Sequence, residues 1–186
     1  TYGQPGDEYR FYEINPAVIA LAEGQGQYFS VLQDSHADIS VVLGDARISL
    51  ERELLQGEKQ QFDLLVIDTF SSGSIPVHLV TKEAIDLYLQ HLCTEGILTA
   101  HITNKHLDLI PVFEQLADYF DLELVIIDTP GNDKIGGYPS LWALMARDPS
   151  LLNIPAIHER ASVRQIDSKN ISLWTDDYSN IFQILK

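Results

Sequence analysis

A doubly wound α/β domain with a mostly parallel sheet is the fold this sequence predicts. Three observations carry that reading. Apolar runs of strand length alternate with helix-periodic segments along most of the 186 residues. Three successive runs stop on or next to an acid, at Glu13, Asp45 and Asp68. The last two runs are joined too closely for a helical crossover, so the closing strand is expected to be antiparallel.

The elements follow in order. "YRFYEI" (9–14) is rich in aromatic residues and suits a strand. "NPAVIALAEGQGQYF" begins a helix, with Asn15 as N-cap and Pro16 at the first helical position. "ISVVLGD" (39–45) is a β-branched strand that stops at Gly-Asp, and "ARISLERELLQ" spaces Ile48, Leu50, Leu54 and Leu55 as a helix does. "FDLLVID" (62–68) is a nearly continuous apolar run, as expected for a strand covered on both faces.

A helix over 81–93 follows, opening on Thr81, with Ala84, Ile85, Tyr88, Leu89 and Leu92 on one face and Gly96 ending the turn beyond it. "ILTAHIT" (97–103) reads as a strand and "LDLIPVFEQLADYF" (107–120) as a helix. "LELVIID" (122–128) and "SLWALMAR" (140–147) are separated by only the Gly- and Pro-rich "TPGNDKIGGYP", hence the antiparallel hairpin. From Asp148 onward the pattern weakens into a loop-rich tail. No repeat or linker interrupts the chain, which reads as one domain over 1–186.

A net charge of −15 makes phosphate backbones and anionic membrane surfaces poor partners and would tend to attract cations, polyamines among them, although the plainer reading is that it only aids solubility. The single cysteine, Cys93, excludes an intrachain disulfide and reads as a small buried filler. No apolar stretch is long enough to span a bilayer and no leader pattern is present, so a cytoplasmic location is expected. The six histidines show neither HxxxH nor HExxH spacing, which argues against a metal site.

Ligands of open α/β sheets sit beyond the carboxyl ends of the strands. Glu13, Asp45 and Asp68 occupy equivalent strand ends and are expected to face one crevice. Plainer roles stand beside this: Asp45 can cap the following helix, and Glu13 can pair with Arg10. A carboxylate accepts from both hydroxyls of a ribose, which suits Glu13, and an adenine amino group needs an acceptor, which Asp45 could supply. Asp68 then faces the reacting group, under a loop whose Ser71 and Ser72 are small hydrogen-bonding residues fitted to cover a ligand. Asn104 stands at the crevice end of its strand, where contact with substrate and a simple loop-turn role are both open, and Tyr178 lies in "WTDDYSN", where core packing is the better reading for Trp174.

"FYEINPAV", "VLGDAR", "DLLVIDTFSSGSIPVHLVTKEAIDLYLQHL" and "LWTDDYSNIF" together resemble the spermidine synthase-like (polyamine aminopropyltransferase-like) proteins of the class I S-adenosylmethionine-dependent methyltransferase fold. The resemblance spans residues 1–147 and 173–185 and is closest to a divergent branch with Asp-x-Phe-Ser-Ser-x-x-Ile-Pro-x-His-Leu after the strand. It implies a Rossmann-like sheet of order 3-2-1-4-5-7-6 with an antiparallel seventh strand. It assigns Glu13 to the ribose hydroxyls, Asp45 to the adenine and Asp68 to the attacking amine; beside them Asn15 and Ala46 are read as nucleoside-binding, and Ser71, Ser72, Asn104 and Tyr178, from their positions, as substrate-binding.

The implied reaction moves an aminopropyl group from decarboxylated S-adenosylmethionine to a polyamine acceptor, with no metal. S-Adenosylmethionine itself is the co-substrate of the alternative, a methyltransferase; a non-catalytic nucleoside-binding relative is the third reading. The implied partners are a nucleoside and a polyamine, with no nucleic acid and no membrane contact, and a homodimer stays open.

Two departures stand out. Aminopropyltransferases read Asp-Ser-Ser-Asp here, whereas this chain reads Asp68-Thr69-Phe70-Ser71, so the second acid is absent, and Gly73 replaces an acid common in the divergent branch. The family's first strand and glycine-rich loop would precede residue 1, so the chain is expected to be an N-terminally truncated piece of the domain.

Overall fold

The computed structural model describes residues 3–24, 26, 28–69, 76–131, 137–159 and 171–186, and it divides into two units, Thr1–Glu58 and Lys59–Lys186. Each is an alternation of strands and helices of the expected kind.

The first unit holds β1 (Glu8–Glu13), α1 (Pro16–Ala22), β2 (Asp38–Leu43) and α2 (Ala46–Leu55). β1 and β2 pair in parallel from Glu8 opposite Asp38 to Glu13 opposite Leu43. Asn15 caps α1, its side chain accepting from the Ala17 N–H at 2.9 Å, and Pro16 occupies the first turn, where its missing N–H costs nothing. Asp45 caps α2 by accepting from the Ile48 N–H at 3.0 Å.

The buried residues of α2 are Ser49, Leu50 and Glu53, whereas Ile48 and Leu55 are exposed. The apolar spacing therefore misplaces the inner face of this helix. A polar contact accounts for it: Arg10 on β1 donates to Glu53 Oε1 at 2.6 Å, and the Tyr12 hydroxyl donates to Oε2 at 2.8 Å. The Arg10 Nε also reaches the Tyr12 oxygen at 3.0 Å. Burial, helped by the hydrogen bond to Glu53, pushes the Tyr12 phenol well above its ordinary range.

The second unit holds β3 (Phe62–Ile67), a 3-10 turn at Val77–Leu79, α3 (Lys82–His91), β4 (Leu92–His101), α4 (Ile110–Phe120), β5 (Glu123–Thr129), β6 (Ser140–Ala146), the short helices α5 (Pro149–Leu152) and α6 (Pro155–His158), and a closing 3-10 turn at Ile181–Ile184. Its sheet runs β3-β4-β6-β5. β3 and β4 are parallel, and β6 is antiparallel to both β4 and β5, as the short connection requires.

Two details differ from the sequence reading. The helix after Thr81 stops at His91, and β4 begins at Leu92, opposite Phe62, so that Cys93 and Gly96 lie in a strand. The register between β3 and β4 shifts between Phe62 and Leu64, and a Cβ at Gly96 would stand 2.8 Å from the Phe62 carbonyl oxygen. Glycine is needed there for close backbone approach. The second difference concerns β3, which is an edge strand in its unit: Ile67 is buried, but Leu64 and Val66 are 55% and 50% exposed.

The core of this unit is built from α3 (Ala84, Ile85), β4 (Leu98) and α4 (Phe113, Leu116). The C-terminal segment is part of it. Trp174 is buried, its carbonyl accepts from the Lys82 N–H at 2.8 Å, and Asp176 accepts from the Thr81 hydroxyl at 2.7 Å. Farther on, the Asp108 N–H donates to the Ile184 carbonyl at 2.7 Å.

Candidate active site

Parallel pairing brings the carboxyl ends of β1 and β2 to the same end of the first unit. Glu13 is the last residue of β1, and its carbonyl accepts from the Gly44 N–H at 2.9 Å, one residue before Asp45. Gly44 has a φ of 152°, which lets the chain turn directly from strand to cap.

The Glu13 side chain folds back so that Oε1 accepts from the Asn15 N–H at 2.7 Å. Its Oε2 has no hydrogen-bond partner among the described residues. Asn15 and Asp45 both cap helices, and Ala46 is the first residue of α2. Arg10 is engaged by Glu53 rather than by Glu13. This strand end thus presents a carboxylate oxygen beside two helix starts, a fitting arrangement for a donor-rich ligand such as a ribose diol.

In the second unit Ile67 pairs with Ala100, so the next residues along each strand, Asp68 and His101, stand side by side. Asp68 Oδ1 lies 2.8 Å from His101 Nδ1, and the Asp68 side chain is 60% exposed against 25% for the histidine. His101 Nε2 lies 2.7 Å from the Thr103 hydroxyl. That hydroxyl accepts from the Leu141 N–H at 2.7 Å. The imidazole stacks on Trp142, its neighbour across β4 and β6, with ring centroids 4.7 Å apart. The result is an exposed carboxylate held from behind by a histidine that is itself clamped on its other nitrogen and on one face.

Asn104 is buried near this strand end, but its Oδ1 accepts from the His106 and Leu107 N–H groups at 2.9 and 3.0 Å. Its carbonyl accepts from Lys186 Nζ at 2.6 Å, and its Nδ2 has no partner among the described residues. The oxygen is therefore committed to the turn, and only the amide nitrogen is left for another group. Tyr178 is 44% exposed and closes a turn with Thr175. Ser71 and Ser72 lie outside the described residues.

His101 and Thr103 were not picked out as site residues by the sequence reading, which weighed His101 for metal binding only. The usable signal was positional: "FDLLVID" and "ILTAHIT" are neighbouring parallel strands, and a titratable residue stands near the end of each. Among the described residues no group of three or more His, Cys, Asp or Glu is placed to hold a metal ion, and no helix is long and apolar enough to cross a membrane.

No family model matches the chain. Over 89 residues it is 38% identical to a polyamine aminopropyltransferase of Vibrio vulnificus (strain CMCP6), a match covering 48% of this chain and 27% of that protein. The chain thus spans about a quarter of the length of this curated relative.

Among solved structures it is similar to the human methyltransferase-like protein 13 in complex with SAH, with a TM-score of 0.57 at 13% identity, covering 83% of this chain and 78% of that one. It is also similar to the spermidine synthase of Thermotoga maritima, with a TM-score of 0.51 at 14% identity, covering 91% of this chain and 61% of that one. A spermidine synthase in complex with the transition state analogue AdoDATO gives a TM-score of 0.50 at 14% identity, covering 92% and 62%. At such identities the structural likeness speaks for the fold alone. Within each unit the observed strand orders, β2-β1 and β3-β4-β6-β5, follow the matching parts of the expected 3-2-1-4-5-7-6 arrangement. The chain thus resembles a polyamine aminopropyltransferase over about half its length, and its fold is similar to that of the spermidine synthases and of an S-adenosylhomocysteine-binding methyltransferase-like protein.

Proposed function

We propose that this chain serves an aminopropyltransferase-like reaction, in which an amine attacks the aminopropyl carbon next to the sulfonium of decarboxylated S-adenosylmethionine. The observation that carries the reading is the exposed Asp68 carboxylate at the end of β3, backed by His101. The likeness to a polyamine aminopropyltransferase supports it.

The nucleophile must be a neutral amine. A C–N bond forms, the C–S bond breaks with its electron pair going to sulfur, and methylthioadenosine leaves as a neutral thioether. Asp68 orients the amine and takes the proton that the new ammonium sheds. Glu13 accepts from the ribose hydroxyls, and Asp45 lies by the adenine.

The segment Asp68-Thr69-Phe70-Ser71 favours a second reading for the acceptor. A diamine has a distal ammonium, and the acid that would anchor it is replaced here. A methyltransferase or a transferase to a monoamine follows if that anchor is essential. Calorimetry of the full-length protein with decarboxylated S-adenosylmethionine, S-adenosylmethionine and methylthioadenosine, followed by a product assay with putrescine, separates these cases. Aminopropylated putrescine confirms the first reading, and binding of S-adenosylmethionine without that product supports the second.

A further inference from the structure

The geometry points to His101 as a positioning residue that fixes Asp68 in one orientation, through a relay running from the β6 backbone to the acid. This rests on the reading of Asp68 as the group that takes the amine proton.

With Asp68 acting as the acceptor that the proposed chemistry requires, one neutral tautomer of His101 satisfies every contact of the relay. Leu141 N–H donates to Thr103 Oγ1, so the hydroxyl's single proton is free to be given to His101 Nε2 at 2.7 Å. A nitrogen that accepts carries no proton, so the imidazole proton sits on Nδ1, where it is donated to Asp68 Oδ1 at 2.8 Å. Asp68 Oδ1 accepts this N–H, with Oδ2 left to meet the incoming amine. The stack on Trp142 holds the imidazole plane, so rotation of the ring is opposed on its face as well as at both nitrogens.

The relay also gives Thr103 a task. Without its hydroxyl, only the Asp68 carboxylate is left to favour the Nδ1–H tautomer over the Nε2–H one, and the latter would set a lone pair against that carboxylate. That arrangement is repulsive and would turn the acid away from its working position.

The test uses the full-length protein with the substrates of the product assay. His101→Phe keeps a ring over Trp142 but removes both nitrogens, whereas His101→Asn places an amide N–H close to the position of Nδ1. His101→Phe is expected to lower kcat at least about tenfold with nucleoside affinity changed less than about twofold, because misplacement of a reacting group acts on the transition state. His101→Asn is expected to recover most of that loss.

Nitrogen-15 NMR of the imidazole supplies a readout independent of turnover: neutral His101 should be Nδ1-protonated in the wild type and less completely so in Thr103→Val, where Asp68 alone favours that tautomer. Wild-type kcat in His101→Phe, alongside abolished transfer in Asp68→Asn, overturns the role of His101 and leaves that of Asp68 standing. Full transfer in Asp68→Asn overturns the reading beneath both. A neutral His101 protonated on Nε2 overturns the relay whatever the activities are.

Discussion

Arg10 donates to Glu53 at 2.6 Å, and this ion pair ties β1 to the inner face of α2. Glu53 is buried and Arg10 only partly so, which makes the pair asymmetric: losing the arginine strands a charge with poor access to water. Arg10→Ala is therefore expected to lower the unfolding free energy by roughly 1–3 kcal/mol, read from denaturant melts. Glu53→Gln should cost less, since its amide can still accept from Tyr12 and leaves no buried charge.

Alkaline pH acts on the same cluster through Tyr12. Its folded-state pKa is raised above the ordinary value of 10.0 by burial and by donation to Glu53. A raised pKa means that the folded state keeps a proton which the unfolded state has released. Stability from this group is thus fully present below pH 10 and falls as the pH rises above it. Melts between pH 8 and 11 should show this decline in the wild type and a shallower one in Tyr12→Phe.

Binding and chemistry should separate between the two strand ends. Asp68→Asn is expected to abolish transfer while leaving nucleoside affinity within about twofold, because the acid acts on the amine. Glu13→Gln should weaken nucleoside binding by about tenfold, the size of a lost charged hydrogen bond, when measured by calorimetry. Loss of nucleoside binding in Asp68→Asn would remove the division of roles.

The crossing of β3 and β4 offers a packing test. A methyl group at residue 96 would meet the Phe62 carbonyl at 2.8 Å, so Gly96→Ala must open the register shift. A loss of about 1–3 kcal/mol is expected in thermal or denaturant melts.

Much of this architecture was legible in the sequence, for local reasons. Asn15-Pro16 and Gly44-Asp45 mark helix starts by their own chemistry, and the short link between "LELVIID" and "SLWALMAR" dictates an antiparallel pair. Trp174, read as a core residue, is buried. What escaped depends on distant partners. Glu53 sits inside because Arg10 and Tyr12 await it, which no helical periodicity reveals. The strand beginning at Leu92 was hidden because "YLQHLC" continues a helical spacing up to the register shift with Phe62. The place of Asp68 just past β3 could be foreseen, but its contact with His101 could not, because it depends on the pairing of Ile67 with Ala100.

The amide of Leu141 sits at the end of a train of four groups that finishes on an exposed carboxylate. A change in the hairpin connection that shifted where β6 meets the end of β4 would therefore reach Asp68 through this train. Variation in that connection would alter turnover before it altered ligand affinity, so related chains with unlike hairpins could differ in rate while sharing every residue of the strand ends.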